Sequence, residues 1–308
     1  MKIAYLISAH TDPRHMFRLI DALQPHAEFF IHVDAKVDIS LFAACERENV
    51  HFIEERYDIH WGEISQVHYQ AALLRAALHS GKTFDRLFLI SGLDYPVWSN
   101  ARIQKFLTEF HDTEYICGID MTQQKKGINR LYRMYRPFPM LNFPYPLRTF
   151  IRTRSRKLLY LLGVRKPLTI NTLFANHPYK LHKGSSWWCI TPRLAHYLLD
   201  TFEKHPEIES YFRTSFGPDE TLWQTLVFNS PYACKAQLIN GEYTSLFDLT
   251  PLHYIDYNPI IKVLTDKDLP MILHSGKMFC RKTCTGISDS LMDQLDALRK
   301  EEEKVYTR

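Results

Sequence analysis

Two adjacent carboxylates follow a proline in Pro218-Asp219-Glu220, directly before the apolar run 221–228. Proline and acidic side chains suit a first helical turn, where the helix dipole favours negative charge. An ionised Glu220 held there could take a proton from a hydroxyl, the work of a general base in a single in-line displacement. Such a displacement also needs a place for an anionic leaving group. The run His274-Ser-Gly-Lys-Met-Phe-Cys-Arg-Lys282 supplies Lys277, Arg281 and Lys282 within a short span. Fixed cations aimed at a leaving phosphate contribute on the order of several kcal/mol. Taken singly, the first motif is also a plain helix start and the second an exposed basic turn.

Other chemistries lack their residues. With 11 glycines the chain has neither G-x-G-x-x-G nor G-x-x-x-x-G-K-[ST], which argues against a dinucleotide fingerprint or an ATP phosphate loop. It has no G-x-S-x-G elbow, H-E-x-x-H or C-x-x-C pair. Asp-x-Asp occurs once, as Asp266-Lys-Asp268, in a turn-like stretch before Pro270 rather than after a buried strand. A solvated turn is expected there, and no metal or other cofactor is expected anywhere. The six cysteines, Cys45, Cys117, Cys189, Cys234, Cys280 and Cys284, are expected to be reduced and mostly buried.

The net charge of +4 hides an asymmetry. Between Asp120 and Asp200 there is no acidic residue, and fifteen Lys or Arg fall between Lys125 and Arg193. Without those fifteen cations the rest of the chain stands at −11. Such a distribution points to an acidic partner. No nucleic-acid motif accompanies it, and nucleic acid is not expected as a partner.

The elements that would position these residues read as alternating strands and helices. Segments 2–8, 28–33, 50–53, 86–91 and 115–119 have the short apolar runs of buried strands. Segments 13–23, 64–79 and 100–110 have helical spacing, which predicts a mostly parallel sheet with helices on both faces. Ligands in such sheets sit at the carboxyl ends of strands. His10, Asp34 and Asp94 stand at or just beyond three of those ends. Turn chemistry and helix capping explain any one of them as well.

From 125 to 178 the pattern breaks at Pro137, Pro139, Pro144, Pro146 and Pro167, and 147–164 reads as a basic amphipathic helix. Long ordered excursions are often binding elements. Strand 184–191, helix 192–204 and helix 218–228 follow, and 288–308 reads as a polar, peripheral helix. The first apolar run is too short for a signal peptide and no stretch could span a bilayer, so a cytoplasmic protein is expected, with possible peripheral contact at the inner membrane face.

Five segments occur in one order: Trp61-Gly62, Ser91-Gly-Leu-Asp-Tyr-Pro96, Gly184-Ser-Ser-Trp-Trp, Pro218-Asp-Glu-Thr-Leu-Trp-Gln-Thr225 and Met278-Phe-Cys-Arg-Lys282. Together they resemble glycosyltransferase family 14, the core-2/I-branching β-1,6-N-acetylglucosaminyltransferases and peptide O-xylosyltransferases, over residues 3–282. The resemblance implies a GT-A-like α/β fold, a UDP-sugar donor, inversion at the anomeric carbon and no metal requirement. It implies one glycosyltransferase domain over 1–308, with a nucleotide-sugar half (1–120) and an acceptor-binding and catalytic half (121–308) that holds the basic excursion 125–180.

The same resemblance makes Glu220 the catalytic base, Asp34 a uridine contact and Lys282 a diphosphate clamp; His10 and Asp94 are added as donor contacts from their places at strand ends, and Arg281 from the basic run. The resemblance puts His253 where the family commonly has a diphosphate-clamping Arg. Trp187, Trp188 and Asp219 are the candidate acceptor contacts. The two tryptophans alternate along a strand, so one should be core and the other could stack on sugar. Trp61 and Trp223 are expected in the core. The expected reaction moves a sugar, GlcNAc or xylose, to a glycan acceptor that could be lipid-linked, in bacterial-type surface polysaccharide synthesis. The competing reading is a non-catalytic glycan- or nucleotide-binding module on the same fold.

Overall fold

The computed structural model describes residues 1–307 apart from 138–142, 244, 258 and 259; Pro139 of the excursion lies outside the described residues. The strands are β1 (Ile3–Ala9), β2 (Ala27–Val33), β3 (Val50–Phe52), β4 (Arg86–Ser91), β5 (Asp94–Pro96), β6 (Glu114–Asp120), β7 (Thr169–Ile170), β8 (Tyr179–Lys180), β9 (His182–Gly184), β10 (Trp188–Ile190), β11 (Ala236–Leu238), β12 (His253–Ile255) and β13 (Phe279–Arg281). The principal helices are α1 (Pro13–Leu23), α2 (Ser65–Leu78), α3 (Asn100–Glu109), α4 (Lys126–Tyr132), α5 (Tyr145–Leu161), α6 (Pro192–Lys204), α7 (Pro206–Arg213) and α8 (Leu222–Phe228). Near the end of the chain come α9 (Leu246–Leu249), α10 (Leu269–His274) and α11 (Asp289–Tyr306).

The central sheet runs β11-β6-β10-β4-β1-β2-β3, with β9 paired to β6. β1, β2, β3 and β4 are mutually parallel, while β10 is antiparallel to both β4 and β6. Strands from both sides of residue 120 therefore share one sheet. The apolar runs read from sequence are explained by burial on both faces. Along β1, Ala4 and Leu6 join a core with α2, α6, α7 and α8, while Ile3, Tyr5 and Ile7 join a second core with α1, α3 and α11. The result is the mostly parallel sheet covered on both faces that was expected, a GT-A-like fold.

Three expectations are corrected. Strand 184–191 is broken into β9 and β10 by Ser185, Ser186 and Trp187, because Ser186 and Trp187 turn toward a cleft. Helix 218–228 is a single 3-10 turn, Pro218–Glu220, followed by α8 after a break at Thr221 (φ −129°). The terminal helix α11 is not peripheral: Leu291, Met292 and Leu295 are buried, and Arg299 Nε donates to the Trp98 carbonyl at 2.9 Å. The helical period hid this because its apolar stripe is narrow.

A small second sheet, β12-β13-β5, lies beyond β4. Its register sets Arg281 opposite Asp94. Among the described residues no helix is long and apolar enough to cross a membrane.

Candidate active site

A cleft of about 380 Å³ opens where β1, β2 and β4 end, lined by His10, Asp34 and Ser91 from those ends. The opposing residues come from far along the chain: Trp187, Asp219, Glu220, Arg281 and Lys282. Seven residues nominated from sequence thus meet in one place.

The carboxylates are delivered by a sharp turn. Gly217 adopts φ 55°, a conformation open to glycine, and its N–H donates to the Gly62 carbonyl at 3.3 Å. That contact ties the Trp61-Gly62 segment to the carboxylate turn. Asp219 is buried; its Oδ2 accepts from Ser186 Oγ at 2.6 Å and from Gln66 Nε2 at 3.1 Å. Burial, and then the neighbouring charge of Glu220, push its carboxyl up to about 7. Such a carboxyl still holds a proton at pH values where an ordinary Asp is ionised.

Glu220 keeps about a third of its side chain exposed, and its Oε2 accepts from Lys183 Nζ at 2.5 Å. Burial pulls Lys183 down, but Glu220 and Tyr132 outweigh it and hold the ammonium well above its ordinary range. Lys183 sits on β9, whose Gly184 pairs with Gly118 on β6. A Cβ at Gly184 would meet the Cys117 carbonyl at 2.0 Å, so this close pairing requires glycine.

The cationic side is equally organised. Arg281 Nη1 donates to Asp94 Oδ1 at 2.6 Å, and its guanidinium lies 4.6 Å from the Trp187 ring centre. Asp94 Oδ2 pairs with His253 Nε2 at 3.0 Å, and the same oxygen accepts from the Ser91 N–H at 2.7 Å. Burial would raise the Asp94 carboxyl, but Arg281 and His253 overcome it and hold it at about 2. Burial and the charge of Arg281 pull the Lys282 ammonium below its ordinary value. His10 is likewise lowered, by desolvation and by Lys282 and Arg281, which favours its neutral form.

Several nominated residues take other places. Asp94 and His253 are completely buried beneath Arg281, so neither reaches into the cleft; they hold the arginine instead. Trp188 is fully buried in the core, which removes it as an acceptor contact and leaves Trp187 at the cleft. Trp223 is core as expected, donating to Gln70 Oε1 at 2.6 Å. Trp61 is not: it is 72% exposed at the cleft mouth, packed edge-on against Phe216. Lys277 turns away to donate to the Thr250 carbonyl. Asp268 of the Asp-x-Asp pair caps its own 3-10 turn and pairs with Lys262, away from the cleft. Among the described residues no three His, Cys, Asp or Glu side chains form a potential metal cluster. Cys45, Cys117, Cys189 and Cys280 are buried free thiols, whereas Cys234 is exposed.

Sequence reading missed Lys183, Ser186 and Gln66. A lysine inside a buried strand segment, next to the Gly184-Ser-Ser-Trp-Trp motif, was the available signal for the first.

Residues 3–270 match the sequence model of the family described as Core-2/I-Branching enzyme. Xylosyltransferase 2 of Rattus norvegicus is 23% identical over 254 residues, covering 78% of this chain and 26% of that protein. Xylosyltransferase sqv-6 of Caenorhabditis briggsae is 20% identical over 257 residues, covering 80% of this chain and 28% of that protein. The chain spans about a quarter of the length of these curated relatives. With the family match spanning most of its length on a GT-A-like sheet, the chain belongs to the Core-2/I-Branching enzyme family of glycosyltransferases.

Proposed function

We propose that the cleft performs an inverting sugar transfer from a UDP donor, GlcNAc or xylose, to a hydroxyl of a glycan acceptor, without a metal ion. The observation that carries this is the gathering of Glu220, Asp34, Arg281 and Lys282 in one cleft at the strand ends. In this reading Glu220 takes the acceptor hydroxyl's proton while that oxygen attacks the anomeric carbon and the bond to UDP breaks. Lys183 fixes Oε2, which leaves Oε1 to accept the proton. Arg281 and Lys282 meet the charge developing on the departing diphosphate, and Asp34 and His10 contact the nucleotide. Trp187 and Asp219 orient the acceptor. The curated relatives named xylosyltransferases favour xylose among the candidate donors.

The setting we propose is bacterial-type surface polysaccharide synthesis at an anionic membrane, on a lipid-linked acceptor. The feature supporting it is α5, which leaves Phe150, Leu158 and Leu161 at 58%, 58% and 80% exposure beside the exposed Arg154 and Lys157. Apolar side chains among cations suit an anionic lipid surface.

The test is UDP release from UDP-GlcNAc and UDP-xylose, with and without EDTA. The reading expects one donor to be turned over and EDTA to leave the rate unchanged. Abolition by EDTA would overturn the metal-free part, and inertness toward UDP-sugars would favour the non-catalytic binding module.

A further inference from the structure

Beside the cleft, and sharing Trp61 with it, lies a second pocket of about 250 Å³. Three arginines line it: Arg136, Arg152 and Arg156. The proposed sugar transfer uses none of them. Trp61 faces both spaces, and Phe216, which packs edge-on against it and lines the second, lies four residues before Glu220.

The arginines are built in rather than scattered over a surface. Arg136 Nη1 donates to the Gly62 carbonyl, and its guanidinium packs 5.2 Å from the Phe216 ring centre. Gly62 has φ 68°, and a Cβ there would come within 2.7 Å of Arg136 Nη1. Arg152 is buried and pairs with the buried Glu63. Among the described residues neither Arg136 nor Arg156 has a carboxylate within ion-pair distance, and Arg156 Nε is buried without a hydrogen bond. Burial, then Arg152 and Arg156, lower Arg136 to about 10. Among the described residues the carboxylates whose charge reaches Arg136 are Glu63, which pairs with Arg152, and Asp219, so three guanidinium groups leave net positive charge beside Phe216 and Trp61. Guanidinium forks match the oxygens of a phosphoryl group in pairs.

We propose that this pocket is an acceptor subsite that binds a phosphoryl oxyanion carried by the acceptor, so that the natural acceptor is a phosphorylated or diphosphate-linked glycan rather than a neutral one. The inference rests on the glycosyl-transfer reading of the neighbouring cleft. The donor's diphosphate is assigned to Arg281 and Lys282, so a second phosphate-matching site beside Trp61 falls to the other substrate. Trp61, exposed and common to both spaces, is the surface along which one acceptor would run from the arginines toward Glu220.

The experiment titrates inorganic pyrophosphate into the chain saturated with UDP, followed by calorimetry. The expected result is one saturable pyrophosphate site per chain, weakened at least tenfold in Arg156→Gln and in Thr149→Glu. Thr149 lines the pocket and is exposed, so that second variant sets a carboxylate among the arginines at an exposed position that folding tolerates. A parallel arm replaces pyrophosphate with phosphatidylglycerol vesicles. No pyrophosphate binding, or binding that neither variant weakens, overturns the proposal. So does Arg156-dependent binding confined to vesicles, which would assign the pocket to lipid headgroups. UDP binding is measured in its own titration, so failure of the donor reading registers there and not in the pyrophosphate arm.

Discussion

The Lys183 ammonium stands 2.5 Å from Glu220 Oε2, with the lysine side chain 9% exposed and the carboxylate 34% exposed. The pair reaches from β9, anchored on the central sheet, to the 3-10 turn that follows Gly217. A buried cation thus fixes one oxygen of a carboxylate that opens on the cleft.

This pairing makes Lys183 a positioning residue. Lys183→Met keeps the length and removes the charge, so Glu220 loses its fixed direction. Misplacement of a reacting group costs about a hundredfold in rate. We expect kcat to fall by ~10²-fold with the donor KM changed less than threefold, measured by steady-state UDP release. A large rise in donor KM with unchanged kcat would place Lys183 in donor binding instead.

Asp219 predicts a slope of stability with pH. Its carboxyl is pushed up to about 7 in the folded chain, whereas an unfolded Asp titrates near ~3.9. Between those values the unfolded chain releases a proton that the folded chain keeps. The contribution of this one carboxyl to stability is therefore greatest below about pH 4, falls as pH rises toward 7, and levels off above. Between about pH 4 and 7 the wild-type thermal midpoint should fall relative to that of Asp219→Asn. Parallel curves for the two proteins would contradict the assignment.

The buried Asp94 predicts the opposite sign. Held at about 2, it contributes stability that is present above ~4 and lost as pH falls through its folded value. Asp94→Asn leaves Arg281 buried without its counter-charge, at a cost of roughly 3–5 kcal/mol. Because Arg281 then loses its anchor, the donor KM should rise by at least tenfold. Calorimetry and initial rates check the two parts separately; an unchanged KM would mean that Arg281 does not meet the donor.

The central sheet was legible because β1, β2, β4 and β6 are buried on both faces and read as unbroken apolar runs, leaving boundaries within one residue. The gathering of Glu220, Asp34, Arg281 and Lys282 could be anticipated from motif order and from the strand-end rule. Depth could not. Asp94 follows a strand end as Asp34 does, yet β5 carries it under Arg281, because pairing with β13 is set by residues nearly 190 positions away. His253 stands where an arginine was expected, and its burial against Asp94 turns it from a donor contact into a support for Arg281. Tryptophan placement was half legible: alternation separated Trp187 from Trp188 without telling which was core. Trp61 defied its apolar character because it walls a cleft rather than filling a core.

The central claim is that Glu220 accepts the acceptor's proton, and the most direct measurement is UDP release by Glu220→Gln against the wild type with donor and acceptor saturating. Glutamine keeps the shape and can still face Lys183 but cannot take the proton. The account predicts a fall in kcat of ~10²–10⁴-fold, with UDP affinity and thermal midpoint near the wild-type values. A Glu220→Gln enzyme that releases UDP at the wild-type rate would contradict it.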